Sequence, residues 1–161
     1  MNGNPLFRRH YQVAYVVLDM EAALAAFRDR FGISRWEVVD LLQWMGPESP
    51  VRYVANAFSQ DTMIELIEAI PGRPSIFGGW ADAVGGNIRL HHLAFLAASE
   101  RDFHETAARF AADGIKIPNR GSFGGAVDYF HADTVADLGH YYELVHLKPE
   151  GRDYLDRIPR N

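Results

Sequence analysis

Short apolar runs alternate with helical stripes along this chain, and the same alternation occurs twice. His10 to Leu18 reads as a strand whose apolar run is interrupted at Gln12. Asp19 follows as a helix N-cap, since its carboxylate can accept from the open N–H groups of a first turn. Met20, Ala23, Leu24, Phe27 and Phe31 then recur at helical spacing. Gly32 ends that stripe, because glycine takes the left-handed C′ conformation without a steric penalty. Trp36 to Trp44 reads as a second strand, Met45 to Pro50 as a loop broken by two prolines and a glycine, Val51 to Phe58 as a third strand and Thr62 to Ala69 as a fourth. From residue 88 the order starts again. A strand over 88–97 leads to Ser99, which opens a Ser-x-x-Asp capping box. The stripe Phe103, Ala107, Phe110 and Ala111 runs to Asp113-Gly114. Ile115 to Ile117 reads as a short strand cut off by Pro118, Gly121 to Gly125 as a hairpin connection, and Ala126 to Ala132 and Gly139 to Leu147 as the last strands.

Set over one another, the two halves agree residue by residue. Gln12-Val13-Ala14-Tyr15 falls on His92-Leu93-Ala94-Phe95, and Met63 to Ile67 falls on Tyr141 to Val145. The offsets are 80 and 78 residues, so one unit is duplicated. The expected architecture is α+β, with two tandem βαβββ modules at about 10–70 and 88–147. Residues 71–87, with two Pro and five Gly, form a linker in which Phe77 and Trp80 are expected to pack, and 148–161 is a charged tail. One helix cannot cover both faces of a four-stranded sheet. The helices are therefore expected outside, with the curved mixed sheets facing one another across a cleft, a usual place for a small-molecule site.

The polar interruptions fall at equivalent places in both copies. By strand alternation Gln12 shares a face with Ala14 and Val16, His92 with Ala94 and Leu96, Glu65 with Met63 and Ile67, and Glu143 with Tyr141 and Val145. A carboxylate among apolar neighbours is costly to desolvate unless it is paired or bound to a cation. Two carboxylates, one imidazole and one amide oxygen suit a divalent ion such as Zn, Mn, Co, Ni or Mg. Alternation lets only one of His91 and His92 face inward, and the repeat selects His92. His10 shares Gln12's face and is a supporting candidate. His140, His146 and Glu68 lie on opposite faces and read as structural or solvated groups, while His104 and His131 have no partner in the pattern.

Composition narrows the classes. With 161 residues, 48% hydrophobic and 23% charged, the chain is an ordinary globular one. A net charge of −5 with scattered arginines gives no nucleic-acid footprint. The absence of cysteine excludes disulfides, thiolate metal sites and a Cys nucleophile, and fits a reducing compartment. No apolar run is long enough for a membrane span, and the N-terminus lacks a signal peptide's apolar core, so a cytoplasmic protein is expected. The Gly121–Gly125 cluster lacks the Lys-Ser/Thr of a phosphate loop.

The duplicated plan, opened by QVAYVVLDMEAALAAFRDRFG and HHLAFLAASERDF and closed by MIELIEAI and LGHYYELVHL, resembles the vicinal oxygen chelate superfamily. That group includes glyoxalase I, methylmalonyl-CoA epimerase, extradiol dioxygenases and bleomycin-resistance proteins. The resemblance spans about residues 10–147. It implies metal ligands from the first and last strand of each module, at Gln12, Glu65, His92 and Glu143. The order Gln, Glu, His, Glu is similar to the human type of glyoxalase I. It departs from the epimerase set, which has Gln at the second position, and from dioxygenases, which need two His and one carboxylate on iron. The resemblance places no glutathione-binding residues, and the loops at 45–50 and 71–87 look unlike those of glyoxalase I. The resemblance implies a metal-dependent proton transfer next to a carbonyl (an isomerase, epimerase or lyase) on a small oxygen-chelating substrate, with Glu143 as base and Glu65 as a second catalytic carboxylate. It also implies a homodimer. The alternatives are a metal-free ligand-sequestering protein of the bleomycin-resistance type, with Phe58, Tyr129 and Trp44 stacking on a planar ligand, and a ring-cleaving dioxygenase.

Overall fold

A computed structural model of the chain describes residues 6–80 and 86–161, so residues 1–5 and part of the expected linker, 81–85, lie outside the described residues. The elements are β1 (His10–Val17), α1 (Met20–Phe31), β2 (Glu37–Asp40), α2 (Leu41–Met45), β3 (Val51–Ser59), β4 (Thr62–Ala69), β5 (Ile88–Leu96), α3 (Glu100–Ala112), β6 (Asn119–Phe123), β7 (Val127–Ala132), α4 (Val135–Leu138), β8 (Tyr141–Leu147) and α5 (Pro149–Arg157). The fold is α+β, and its strands follow the hydrogen-bonded order β2-β3-β4-β1-β5-β8-β7-β6. The chain forms two compact units, one of Val13–His92 with Arg157–Asn161, the other running up to Gln12 and resuming over Leu93–Asp156.

In the first of these units α1 starts and stops as its end residues dictate. The Asp19 carboxylate accepts from Ala22 N–H, and Gly32, at φ 72°, sends its N–H to Phe27 O. Glu68 is not a solvated bystander: its Oε2 accepts Met20 N–H at 2.6 Å, satisfying another first-turn donor. Ala23 and Phe27 of α1 pack with Val17 of β1, Ala55 and Ala57 of β3, and Ile64 and Leu66 of β4. The expected strand over 36–44 stops at Asp40. The Asp40 carboxylate accepts from Leu42 and Gln43 N–H and caps α2 instead. Asn161 closes this unit: its Oδ1 accepts from Ser34 and Arg35 N–H at 3.0 and 2.9 Å, and its N–H donates to Phe58 O.

In the other unit Phe103, Ala107 and Phe110 of α3 pack on Phe95 of β5, Phe130 of β7 and Tyr142 and Leu144 of β8. Phe95 and Tyr142 stack at 4.7 Å, and the Tyr142 hydroxyl donates to Leu6 O at 2.6 Å. Ser99 caps α3 through Asp102 N–H, while the Asp102 carboxylate reaches back to Ala98 N–H, one residue beyond a regular capping box. Residues 115–118 are not a strand. Ile115 N–H returns to Phe110 O to finish α3, and β6 begins after Pro118. Gly121 sits inside β6, not in a hairpin connection, because Tyr129 covers it from β7; a Cβ there would lie 2.7 Å from the tyrosine hydroxyl. The charged tail contains α5, and Phe58 then bridges to Arg160.

Candidate functional site

The packing of α1 and α3 decides which strand face is left for chemistry. Val13, Tyr15 and Val17 of β1 and Ile64 and Leu66 of β4 pack on the α1 side. Alternation turns Glu65, with Met63 and Ile67, to the opposite face. In the other unit Leu93, Phe95, Tyr142 and Leu144 pack with α3. Glu143, between Tyr142 and Leu144, is turned away from that helix. Gln12 is likewise opposite to Val13 and Tyr15 along β1. Gln12, His92 and Glu143 are buried, and the Glu65 side chain is 18% exposed.

Each carboxylate lies against an imidazole. His92 Nε2 is 3.5 Å from Glu65 Oε2, and His131 Nε2 is 3.5 Å from Glu143 Oε1. The first pair joins two residues expected from sequence. The second joins Glu143 to a histidine that the pattern left without a role. His131 stands directly across from Glu143 on the neighbouring strand, and Asn56 stands directly across from Glu65. Asn56 and His131 are both buried, so each module presents a polar residue beside its last-strand carboxylate. That repeat was hidden because the two hairpins differ in length: Asn56 precedes Glu65 by nine residues and His131 precedes Glu143 by twelve. Asn119 Nδ2 approaches His131 Nδ1 at 3.2 Å and orients the ring from its far edge.

His91 and His92 are both fully buried, against the expectation that alternation would leave one of them outside. Their Nδ1 atoms meet at 2.8 Å. The turn after β4 covers the other side of His91: Phe77 and Trp80 place their rings 4.8 and 5.2 Å away, and Ile76 O lies 3.1 Å from His91 Nε2. Burial first, and then the neighbouring His92, push the His91 imidazole well below its ordinary range, against the opposite pull of the Ile76 carbonyl. His10 does not support the site. It is exposed and lies against Phe95. His140 bonds Tyr141 O, and His146 faces Asp128 at 3.9 Å. Of the aromatics considered for stacking, Phe58 is buried under the Arg160 guanidinium, Trp44 is exposed on α2, and Tyr129 covers Gly121.

The donor chemistry fits a divalent ion. His91, His92 and His131 are buried imidazoles, and His92 and His131 each turn Nε2 towards a carboxylate. A charge-assisted N–H···O bond closes to about 2.7–2.9 Å. The 3.5 Å between His92 Nε2 and Glu65 Oε2 is longer than that. His92 and Glu65 would supply one nitrogen and one oxygen donor to such an ion.

Residues 11–131 match the family profile described as Glyoxalase/Bleomycin resistance protein/Dioxygenase superfamily. The chain belongs to this superfamily. No curated protein matches the sequence. Among solved structures, the superfamily member is similar to a variant of Streptomyces coelicolor methylmalonyl-CoA epimerase in complex with 2-nitronate-propionyl-CoA, at 21% identity and TM-score 0.63, covering 88% of this chain and 95% of that one. It is similar to methylmalonyl-CoA epimerase from Mycobacterium tuberculosis at 16% identity and TM-score 0.64, covering 95% and 97%. A hypothetical protein, BH1468 from Bacillus halodurans, gives 16% and 0.64, covering 87% and 94%. At these identities the likeness establishes the glyoxalase-like fold. No helix among the described residues is long and apolar enough to cross a membrane.

Proposed function

We propose that this superfamily member is a divalent-metal-dependent enzyme that moves a proton at a carbon next to a carbonyl, in an isomerase or epimerase reaction on a small substrate that chelates through oxygen. The observation that carries the reading is a pair of carboxylates, Glu65 and Glu143, each turned away from its unit's helix and each 3.5 Å from a buried imidazole. Gln12, Glu65, His92 and Glu143 would hold the ion. When bound, a divalent ion polarises a substrate carbonyl as a Lewis acid, worth several kcal/mol.

The protein's own groups supply the rest. Glu143 accepts the proton from carbon on a carboxylate oxygen, and His131 keeps that carboxylate in place. Glu65, more open to solvent, is the second acid–base group, which an epimerase needs to return a proton to the other side of the carbon. A carboxylate is a weak base towards a carbon acid, so the substrate must be acidified by its bound carbonyl. The fold likeness to methylmalonyl-CoA epimerases supports the epimerase form of the reaction and makes acyl-CoA thioesters the first substrates to try.

Two measurements test the reading. Elemental analysis of protein purified without chelator is expected to find about one divalent ion per chain. In D2O, a panel of acyl-CoA thioesters, 2-oxo aldehydes and 2-hydroxy ketones is expected to include a compound whose α-proton exchanges in a protein- and metal-dependent way. Protein that takes up none of Zn, Ni, Co or Mn, yet binds a planar ligand tightly, would be a sequestering protein instead. Oxygen consumption dependent on Fe(II) would make it a dioxygenase.

A further inference from the structure

Residues 71–80, the first part of the stretch read from sequence as a linker, are fastened to β5 beside the candidate ligand. Trp80 Nε1 donates to Leu90 O at 2.6 Å, and Arg89 donates to Trp80 O at 2.7 Å while its guanidinium lies 5.1 Å over the Trp80 ring. Ser75 Oγ accepts from Phe77 and Gly78 N–H and shapes the turn. Gly78 is required there, because a Cβ would come within 2.8 Å of Arg73 O. These contacts hold Ile76 O 3.1 Å from His91 Nε2.

A carbonyl oxygen accepts hydrogen bonds and cannot donate them, so the proton of this contact belongs to His91 Nε2. His91 has no exposure to water and lies against two aromatic rings, surroundings that favour the neutral ring. A neutral imidazole has one N–H. With that proton on Nε2, His91 Nδ1 is an acceptor. The atom 2.8 Å from it, His92 Nδ1, must then be the donor. A neutral His92 that carries its proton on Nδ1 has its lone pair on Nε2, the nitrogen that faces Glu65.

We propose that Ile76 and His91 form a relay that fixes the tautomer of His92, making His91 a positioning residue that prepares His92 Nε2 as a ligand atom. The inference rests on the reading of His92 as a metal ligand for its purpose, but not for its geometry. It gives residues 71–80 a task, since the turn over Ile76 and Phe77 places the carbonyl from which the chain of donors and acceptors starts. Partners of this kind typically change metal affinity by about 10–100-fold.

The test is made on the full chain, labelled with ¹⁵N-histidine and stripped with chelator. Long-range ¹H–¹⁵N correlation at neutral pH is expected to show His91 protonated at Nε2 and His92 protonated at Nδ1, with the His91→Phe variant assigning the signals. A His92 protonated at Nε2 overturns the relay. Zinc titration by calorimetry then reads its consequence. His91→Phe is expected to bind zinc about 10–100-fold more weakly than the unmodified chain. His91→Asn, whose side-chain oxygen can still accept from His92 Nδ1, is expected to recover most of the loss. Equal affinity in all three proteins would also overturn the relay, because packing alone would then account for His91. If the unmodified chain takes up no zinc while His92 carries its proton on Nδ1, the metal reading fails and the relay stands.

Discussion

Glu143 and His131 meet across β7 and β8, and Glu143→Gln separates the charge of that carboxylate from its shape. Gln keeps the volume and can still bond the imidazole, so the fold is expected to persist. It cannot take a proton from carbon. The expected result is a fall of about 10²–10⁴ in turnover on whichever substrate exchanges deuterium, the usual contribution of a positioned general base. Full activity in this variant would remove Glu143 from the reaction. Zinc affinity measured on the same variant separates its work as a ligand from its work as a base. A change in turnover alone assigns the base, and a matching loss of affinity assigns the ligand.

Among the elements, α5 shows how the end of the chain is fixed by close approach. Gly151 lies on this helix where a Cβ would come 2.5 Å from Ala126 O and 3.0 Å from a Val127 methyl group. The same carbonyl accepts Lys148 N–H at 2.9 Å, so the β6–β7 turn cannot easily retreat. In an open helix Gly→Ala stabilises by roughly 0.5–1 kcal/mol. Here Gly151→Ala is expected to do the reverse, costing about 1–3 kcal/mol through overpacking. Asn161 is the second fastening. Its side chain bonds the backbone of Ser34, Arg35 and Phe58, and truncation in Asn161→Ala is expected to cost about 1–2 kcal/mol, since these groups stay near water. Urea denaturation reads both variants as a lower midpoint at unchanged slope.

For the molecule as a whole, the metal reading links ligand and stability. An ion that binds the folded chain alone stabilises it by about 2.7 kcal/mol when present at 100 times its Kd. Thermal unfolding with added Zn, Ni, Co or Mn is expected to show a rise in Tm that chelator reverses. A Tm indifferent to all four ions would count against the site. The homodimer implied by the family resemblance is checked by light scattering, with twice the chain mass expected. Val38, Trp44 and Met45 are exposed apolar side chains around β2 and α2 that such an association could cover.

The duplicated α+β plan was legible in the sequence because its signals are local. Asp19 and Ser99 cap the two long helices, Gly32 stops the first in the left-handed region, and period-two and period-3.6 patterns mark strand and helix over many residues. Local competition was harder to read. Asp40 turned the end of a strand into a helix by offering its carboxylate to two N–H groups, and Tyr129 let Gly121 sit in a strand by covering it from the next one. Glu65 and His92 could be named from repeat register, and the structure sets them 3.5 Å apart. His131 and His91 could not be given roles from sequence. The partner of His131 is fixed by hairpin length and cross-strand register, and His91 is buried by a turn that begins fifteen residues earlier. Strand alternation determines which way a side chain leaves the backbone, but only tertiary packing decides what covers that side, and therefore which nitrogen of an imidazole carries its proton.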